Sequence, residues 1–128
     1  MTNKVNLMSP GHLAYVGDSV YELLVRNYLV NQGIYPLNKV HKNAVRLVNA
    51  AAQARGLRAI EDKLEDKEKA IVRRGRNFNS GSSPRNMKIA DYRLSTGLEA
   101  LFGYLYLNGN YDRIKELWSL LIKELEGE

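Results

Sequence analysis

The chain of 128 residues contains no cysteine. That excludes a disulfide scaffold and any cysteine-based zinc site, and it fits a reducing, cytoplasmic setting. Histidine is almost as scarce. His12 and His41 are the only two, and neither has a metal-ligand spacing with another histidine or an acid on its own predicted helix. No apolar run approaches the ~20 residues of a membrane span, so no membrane partner is expected. The opening residues, Met1-Thr2-Asn3-Lys4-Val5-Asn6, lack the apolar core of a signal peptide. Ser82 and Ser83 have no base or orienting acid near them in sequence, which argues against a nucleophilic serine. The length suits one domain over 1–128, and a domain of this size buries about two thirds of its extended-chain surface.

Charge is present and unevenly placed. The 19 basic residues exceed the 14 acidic ones by five. The segment from Ala70 to Ala90 holds Arg73, Arg74, Arg76, Arg85 and Lys88 and no acid. Removing those five from the 19 leaves 14 basic against 14 acidic residues, so the whole positive excess sits in this segment. A localised basic patch is the footprint expected for a polyanion, most simply nucleic acid. The plain alternative is a solvated surface loop. His41, Lys42 and Arg46 form a second, smaller basic group on one side of a predicted helix and are also candidates for RNA contact.

The apolar pattern is helical throughout. Ser9 and Pro10 predict a helix start, and the helix should run to about Val30 and stop near Gly33. Its apolar face, including Leu13, Val16, Val20, Tyr21, Leu23, Leu24 and Tyr28, covers more than half the circumference. That breadth marks a central helix or one shared with a partner subunit. A second helix is expected from about Asn38 to Ala54, interrupted by Gly56, then a short helix from Leu57 to Leu64. Asp66 to about Asn77 reads as a further helix. The loop-formers Asn79-Ser80-Gly81-Ser82-Ser83-Pro84 follow, and two last helices are expected at about Met87–Leu107 and Tyr111–Glu126. Tyr21, Tyr28, Tyr104 and Tyr106 fall at helical spacing and read as core. No strand or internal repeat is expected.

Two residues stand out against this background. Gly17 and Asp18 lie side by side in the apolar run Leu13-Ala14-Tyr15-Val16-Gly17-Asp18-Ser19-Val20-Tyr21-Glu22-Leu23. A mid-helix glycine costs roughly 1 kcal/mol relative to alanine, and a carboxylate among apolar residues is costly unless paired or bound to a metal. Asp18 has no helical partner, since Glu22 and Ala14 occupy the positions four away. Glu22 itself has Arg26 at i+4. The second acid is Glu99, four residues before Gly103 in another apolar run. Thr96 and Glu99 also match a capping box, in which case Glu99 would only tie off a helix start. If the two glycines instead let the helices approach closely, Asp18 and Glu99 would converge. Two carboxylates make a hard oxygen site that suits Mg²⁺, with Mn²⁺ as a substitute. Beside a phosphate-gripping segment, such a site describes metal-dependent phosphodiester hydrolysis.

These residues resemble a known family. The run from Leu13 to Leu23 resembles the ribonuclease III signature, Glu-aromatic-Leu-Gly-Asp followed by Ala or Ser, Val and a later Glu. Leu98-Glu99-Ala100-Leu101-Phe102-Gly103-Tyr104-Leu105-Tyr106-Leu107 is similar to the second family block, Phe-Glu-Ala-Leu-x-Gly-x-x-Tyr-Leu. Arg73-Arg74-Gly75-Arg76-Asn77 and Ser80-Gly81-Ser82-Ser83-Pro84-Arg85-Asn86 resemble the Mini-III subfamily, single catalytic domains without the double-stranded-RNA-binding domain. The resemblance covers about Leu7 to Leu121. Full-length family members carry acids where this chain has Gly11, Ala14 and Thr96, a thinning that Mini-III proteins share.

The resemblance implies an all-α ribonuclease III endonuclease domain of about six to seven helices, acting as a homodimer with Tyr15 inserted into the partner. It implies Mg²⁺ held by Asp18 and Glu99, and cleavage of double-stranded RNA. The substrate it implies is bacterial large-subunit (23S) ribosomal RNA precursor, with a ribosomal protein or particle as a further partner. The alternative is a non-catalytic RNA-binding or ribosome-assembly factor on the same fold.

Overall fold

The computed structural model describes residues 2–33, 36–78 and 88–127. Among them are seven α-helices and no strand: α1 (Thr2–Asn6), α2 (Pro10–Asn31), α3 (Leu37–Val48), α4 (Ala50–Ile60), α5 (Asp66–Arg76), α6 (Ile89–Leu107) and α7 (Tyr111–Glu126). A single 3₁₀ turn, Glu61–Lys63, follows α4. The expected all-α architecture is therefore the observed one.

The core is organised round α6, which packs against α2, α4, α5 and α7. A helix touched from so many sides must be apolar nearly all round. From Leu94 to Leu105 every residue of α6 is buried except the half-buried Glu99. Two of its crossings bring backbone onto backbone. A Cβ on Gly17 of α2 would land on the Glu99 carbonyl oxygen and 2.9 Å from the Gly103 nitrogen. A Cβ on Gly103 would strike the Leu13 carbonyl in turn. On the other side, a Cβ on Gly75 of α5 would sit 2.9 Å from the Gly97 Cα. Gly17 and Gly103 thus face each other at one crossing, and Gly75 and Gly97 at another.

Tyr21 anchors α3 to this core. Its hydroxyl donates to the Leu47 carbonyl at 2.7 Å, and its ring meets Phe102 and, edge-on, Trp118. Burial pushes its phenol above the ordinary range. At the opposite end, Arg113 of α7 reaches Glu68 of α5 at 2.7 and 2.8 Å. Glu68 is buried, which by itself raises its carboxyl. The Arg113 hydrogen bonds, the Glu65 N–H and the Arg113 charge outweigh that and hold it below the usual value. Breaking one partner of such a pair strands a buried charge, which typically costs about 3–5 kcal/mol.

Several boundaries differ from the sequence expectation. The helix expected over Asn38–Ala54 is two helices, broken at Asn49, whose backbone is extended. Asn49 Oδ1 accepts from the Ala52 N–H at 2.8 Å, and its Nδ2 donates to the Arg46 carbonyl at 3.1 Å. One side chain therefore closes α3 and opens α4. Gly56 does not interrupt; it lies inside α4, where Leu121 of α7 packs so close that a Cβ would stand 2.7 Å from its Cγ. The short helix expected over Leu57–Leu64 is the end of α4 plus the 3₁₀ turn. The short α1 was not expected, and Val5 seals it onto the core. Tyr106, expected in the core, is 45% exposed and lies against Tyr111. The Asn79–Pro84 cluster, Arg85 and Met87 lie outside the described residues.

Candidate active site

The close crossing of α2 and α6 fixes the relation of the two singled-out acids. Gly17 rests on the Glu99 carbonyl, so the next residue, Asp18, emerges beside the Glu99 side chain. Their carboxyls are hydrogen-bonded to each other. Two carboxylates cannot bond without a proton between them. Burial first, then the Asp18 charge, then that hydrogen bond push the Glu99 carboxyl up to about 8. Asp18 is exposed and Glu99 half-buried. The pair thus has one member facing water and one set back at the helix crossing.

The capping-box reading of Glu99 does not hold. Glu99 lies in the middle of α6, and the Thr96 hydroxyl donates back to the Tyr92 carbonyl at 3.0 Å. Glu22, by contrast, is half of an ordinary ion pair, with Arg26 at 3.0 Å.

A third polar group closes the site from α4. Gln53, 1% exposed, lies near enough to Glu99 for its amide to act on the carboxyl in the lowering direction. Its Oε1 accepts from the Ser95 hydroxyl, one turn before Glu99 on α6. Sequence reasoning missed both residues. The available signal was an amide inside Ala50-Ala51-Ala52-Gln53-Ala54, where every neighbour is small and apolar.

Among the described residues no third acid or histidine joins Asp18 and Glu99 in a group able to hold a metal. At two positions where fuller family members carry acids, Ala14 and Thr96 are buried. The donor set nonetheless fits a hard divalent cation. Mg²⁺ characteristically takes one or two carboxylates and keeps water or phosphate oxygens for the rest.

The basic candidates are dispersed. Arg73 and Arg76 on α5 and Lys88 ahead of α6 are exposed. The Arg74 guanidinium is tied to the Met8 carbonyl at 3.0 Å. Arg46 is held by Glu126 at 3.2 and 3.3 Å. His41 and Lys42 are exposed on α3, where His41 borders an apolar groove with Val30, Leu37 and Val45. Arg58 and Arg93, not singled out from sequence, join Arg76 round a hollow of about 550 Å³. Tyr15 is 82% exposed on α2, and with Val16, Val20, Leu23 and Tyr106 it lines a shallow apolar hollow.

Comparison with known proteins follows the same two helices. The ribonuclease III domain model matches residues 11–110. This chain belongs to the ribonuclease III family. It is 44% identical over 128 residues to Mini-ribonuclease 3 of Brevibacillus brevis, covering 100% of this chain and 96% of that protein. It is 44% identical over 119 residues to Mini-ribonuclease 3 of Thermoanaerobacter sp. (strain X514), covering 93% and 84%. The crystal structure of protein FN1578 from Fusobacterium nucleatum superposes with a TM-score of 0.81 at 31% identity, covering 90% of this chain and 92% of that one. As a ribonuclease III protein of the Mini-ribonuclease 3 type, the chain is an endoribonuclease.

Proposed function

We propose that this ribonuclease III protein is a Mg²⁺-dependent endonuclease of double-stranded RNA, with Asp18 and Glu99 as the catalytic, cation-holding pair. The observation that carries the reading is the meeting of two carboxyls at a glycine–glycine helix crossing, one set back and one facing water. A cation bound by Asp18 and Glu99 would supply polarisation of the scissile phosphate and activation of the attacking water. The chain's own residues do the rest. Glu99 presents its carboxylate from a fixed helix, and Asp18 presents its own where a phosphate backbone can approach. Arg73, Arg76 and Lys88, with Arg85 in the adjoining segment, supply backbone contacts that do not depend on base sequence.

A-form RNA offers its shallow groove, 2′-hydroxyls and phosphates rather than a readable major groove. A dispersed basic surface with few fixed hydrogen bonds suits that target. The apolar hollow round Tyr15 supports a homodimer, in which a second copy doubles the basic surface. Large-subunit ribosomal RNA precursor, cut in the cytoplasm alone or in a ribosomal particle, is the substrate this reading favours.

The test is incubation of the purified protein with long double-stranded RNA, in Mg²⁺ or in chelator. Cleavage should require the metal. Asp18→Asn should fold and bind RNA but leave it uncut, because the charge at the cation is lost while the shape is kept. Wild-type turnover by Asp18→Asn would refute the assignment.

A further inference from the structure

We infer that Gln53 is a positioning residue: its amide, oriented by the Ser95 hydroxyl, holds the Glu99 carboxylate in the direction from which it and Asp18 take a divalent cation. The inference rests on the reading of the Asp18–Glu99 pair as the cation site.

The first argument is one of cost. A primary amide brings two N–H donors and a carbonyl acceptor. Leaving such a group unmatched in the interior costs about 1–3 kcal/mol. Gln53 is 1% exposed, less than the buried Glu68, Ser95 and Thr96, yet it is surrounded along α4 by Ala52, Ala54 and Leu57. Packing alone would be served by methionine, which has nearly the same length and no polar atoms. The amide is not isolated: its Oε1 accepts from the Ser95 hydroxyl, and it acts on the Glu99 carboxyl one turn further along α6.

The second argument concerns direction. The proton that Glu99 carries is shared with Asp18, which leaves the Glu99 oxygen toward α4 only able to accept, so the end of Gln53 that faces Glu99 must be Nε2. The Ser95 hydroxyl has one proton, and it gives that proton to Oε1. Both neighbours therefore demand the same orientation of the amide. Ser95 and Glu99 are four residues apart on α6, and so share one face of that helix. Gln53 reaches across from α4 and spans that single turn. Glu99 is thus supported from α4 by Gln53 and met from α2 by Asp18.

Partners that orient a ligating carboxylate typically contribute roughly 10–100-fold to metal affinity or activity when removed. The experiment compares wild type, Gln53→Met, Ser95→Ala and Asp18→Asn as full chains. Three quantities are measured: Mn²⁺ affinity by calorimetry without RNA, double-stranded-RNA affinity in chelator, and the melting temperature. Gln53→Met should weaken Mn²⁺ binding by roughly 10–100-fold, with RNA affinity in chelator unchanged. Ser95→Ala should weaken Mn²⁺ binding less, since the amide keeps its donor but loses its orienting partner. A loss of packing alone would lower the melting temperature and leave Mn²⁺ affinity in the folded protein where it was. A folded Gln53→Met with wild-type Mn²⁺ affinity overturns the inference. Should Gln53→Met fail to fold, wild-type Mn²⁺ affinity in Ser95→Ala overturns it. Asp18→Asn separates the two failures. If it loses Mn²⁺ while Gln53→Met does not, only the positioning role falls. If Asp18→Asn keeps Mn²⁺, the pair is not the cation site and both readings fall.

Discussion

Replacing Glu99 by glutamine should stabilise the metal-free protein while abolishing cleavage. In the folded chain burial, and after it the Asp18 charge, keep the Glu99 carboxyl protonated up to about 8, against an ordinary 4.5. In the unfolded chain the same group ionises near 4.5. At pH 7 folding therefore takes up a proton. At about 1.4 kcal/mol for each pH step between the ordinary value and pH 7, the cost approaches about 3 kcal/mol. Glu99 keeps part of its surface in water, which lowers the figure, so ~1–3 kcal/mol is the range to expect.

The sign follows directly. The cost is absent at acid pH, grows from about 4.5 to about 8, and is constant above. Wild type should lose stability relative to Glu99→Gln across that window. Glutamine suits the site, because its Nε2 can donate to Asp18 and its Oε1 can accept from Gln53. Melting curves of both proteins in chelator at pH 5, 7 and 8.5 test the point, with cleavage assayed in parallel in Mg²⁺. The variant should melt several degrees higher at pH 7 and 8.5, and the gap should shrink at pH 5. Adding Mg²⁺ should narrow it, since binding to folded wild type alone raises that protein's stability. Equal melting temperatures at every pH would refute the electrostatic account of the pair, and cleavage by Glu99→Gln would refute its catalytic role.

Other expectations follow from the same geometry. Gly17→Ala should destabilise by at least about 1–3 kcal/mol, the usual range for overpacking, and should lower cleavage as well. Its Cβ would land on the Glu99 carbonyl, so a wild-type melting temperature would contradict the close crossing. Replacing Arg73 and Arg76 together should weaken RNA binding by an Asp18→Asn protein and flatten its dependence on salt by a slope of order two. An unchanged slope in a salt titration would mark those cations as ordinary solvated charges. Tyr15→Ala should weaken self-association, read by sedimentation, and lower activity most at high dilution. A wild-type protein that sediments as a monomer at micromolar concentration would remove the interface altogether.

The helical period and the two misfit residues were legible in the sequence because each is a local property. The apolar spacing of α2, α6 and α7 sets their type wherever they pack. Gly17-Asp18 and Glu99 with Gly103 are expensive in an apolar helix in any fold, so they advertise a site before its shape is known. What the sequence by itself could not settle were the matters decided between distant residues. Asn49 ends one helix and begins the next through bonds that a continuous apolar stripe hides, and Gly56 is spared as a breaker only because Leu121 needs its space. Tyr106 has the spacing of a core residue but faces out, since α6 is already covered on its other sides. Arg46 and Arg74 count as free charge in a composition, whereas Glu126 and the Met8 carbonyl engage them in space. Gln53 is the clearest case. The alanines round it hint that it is not a surface glutamine, but only the packing of α4 on α6 brings it to Ser95 and toward Glu99. Local periodicity fixes what a segment becomes, and burial and long-range hydrogen bonding fix which of its side chains meet.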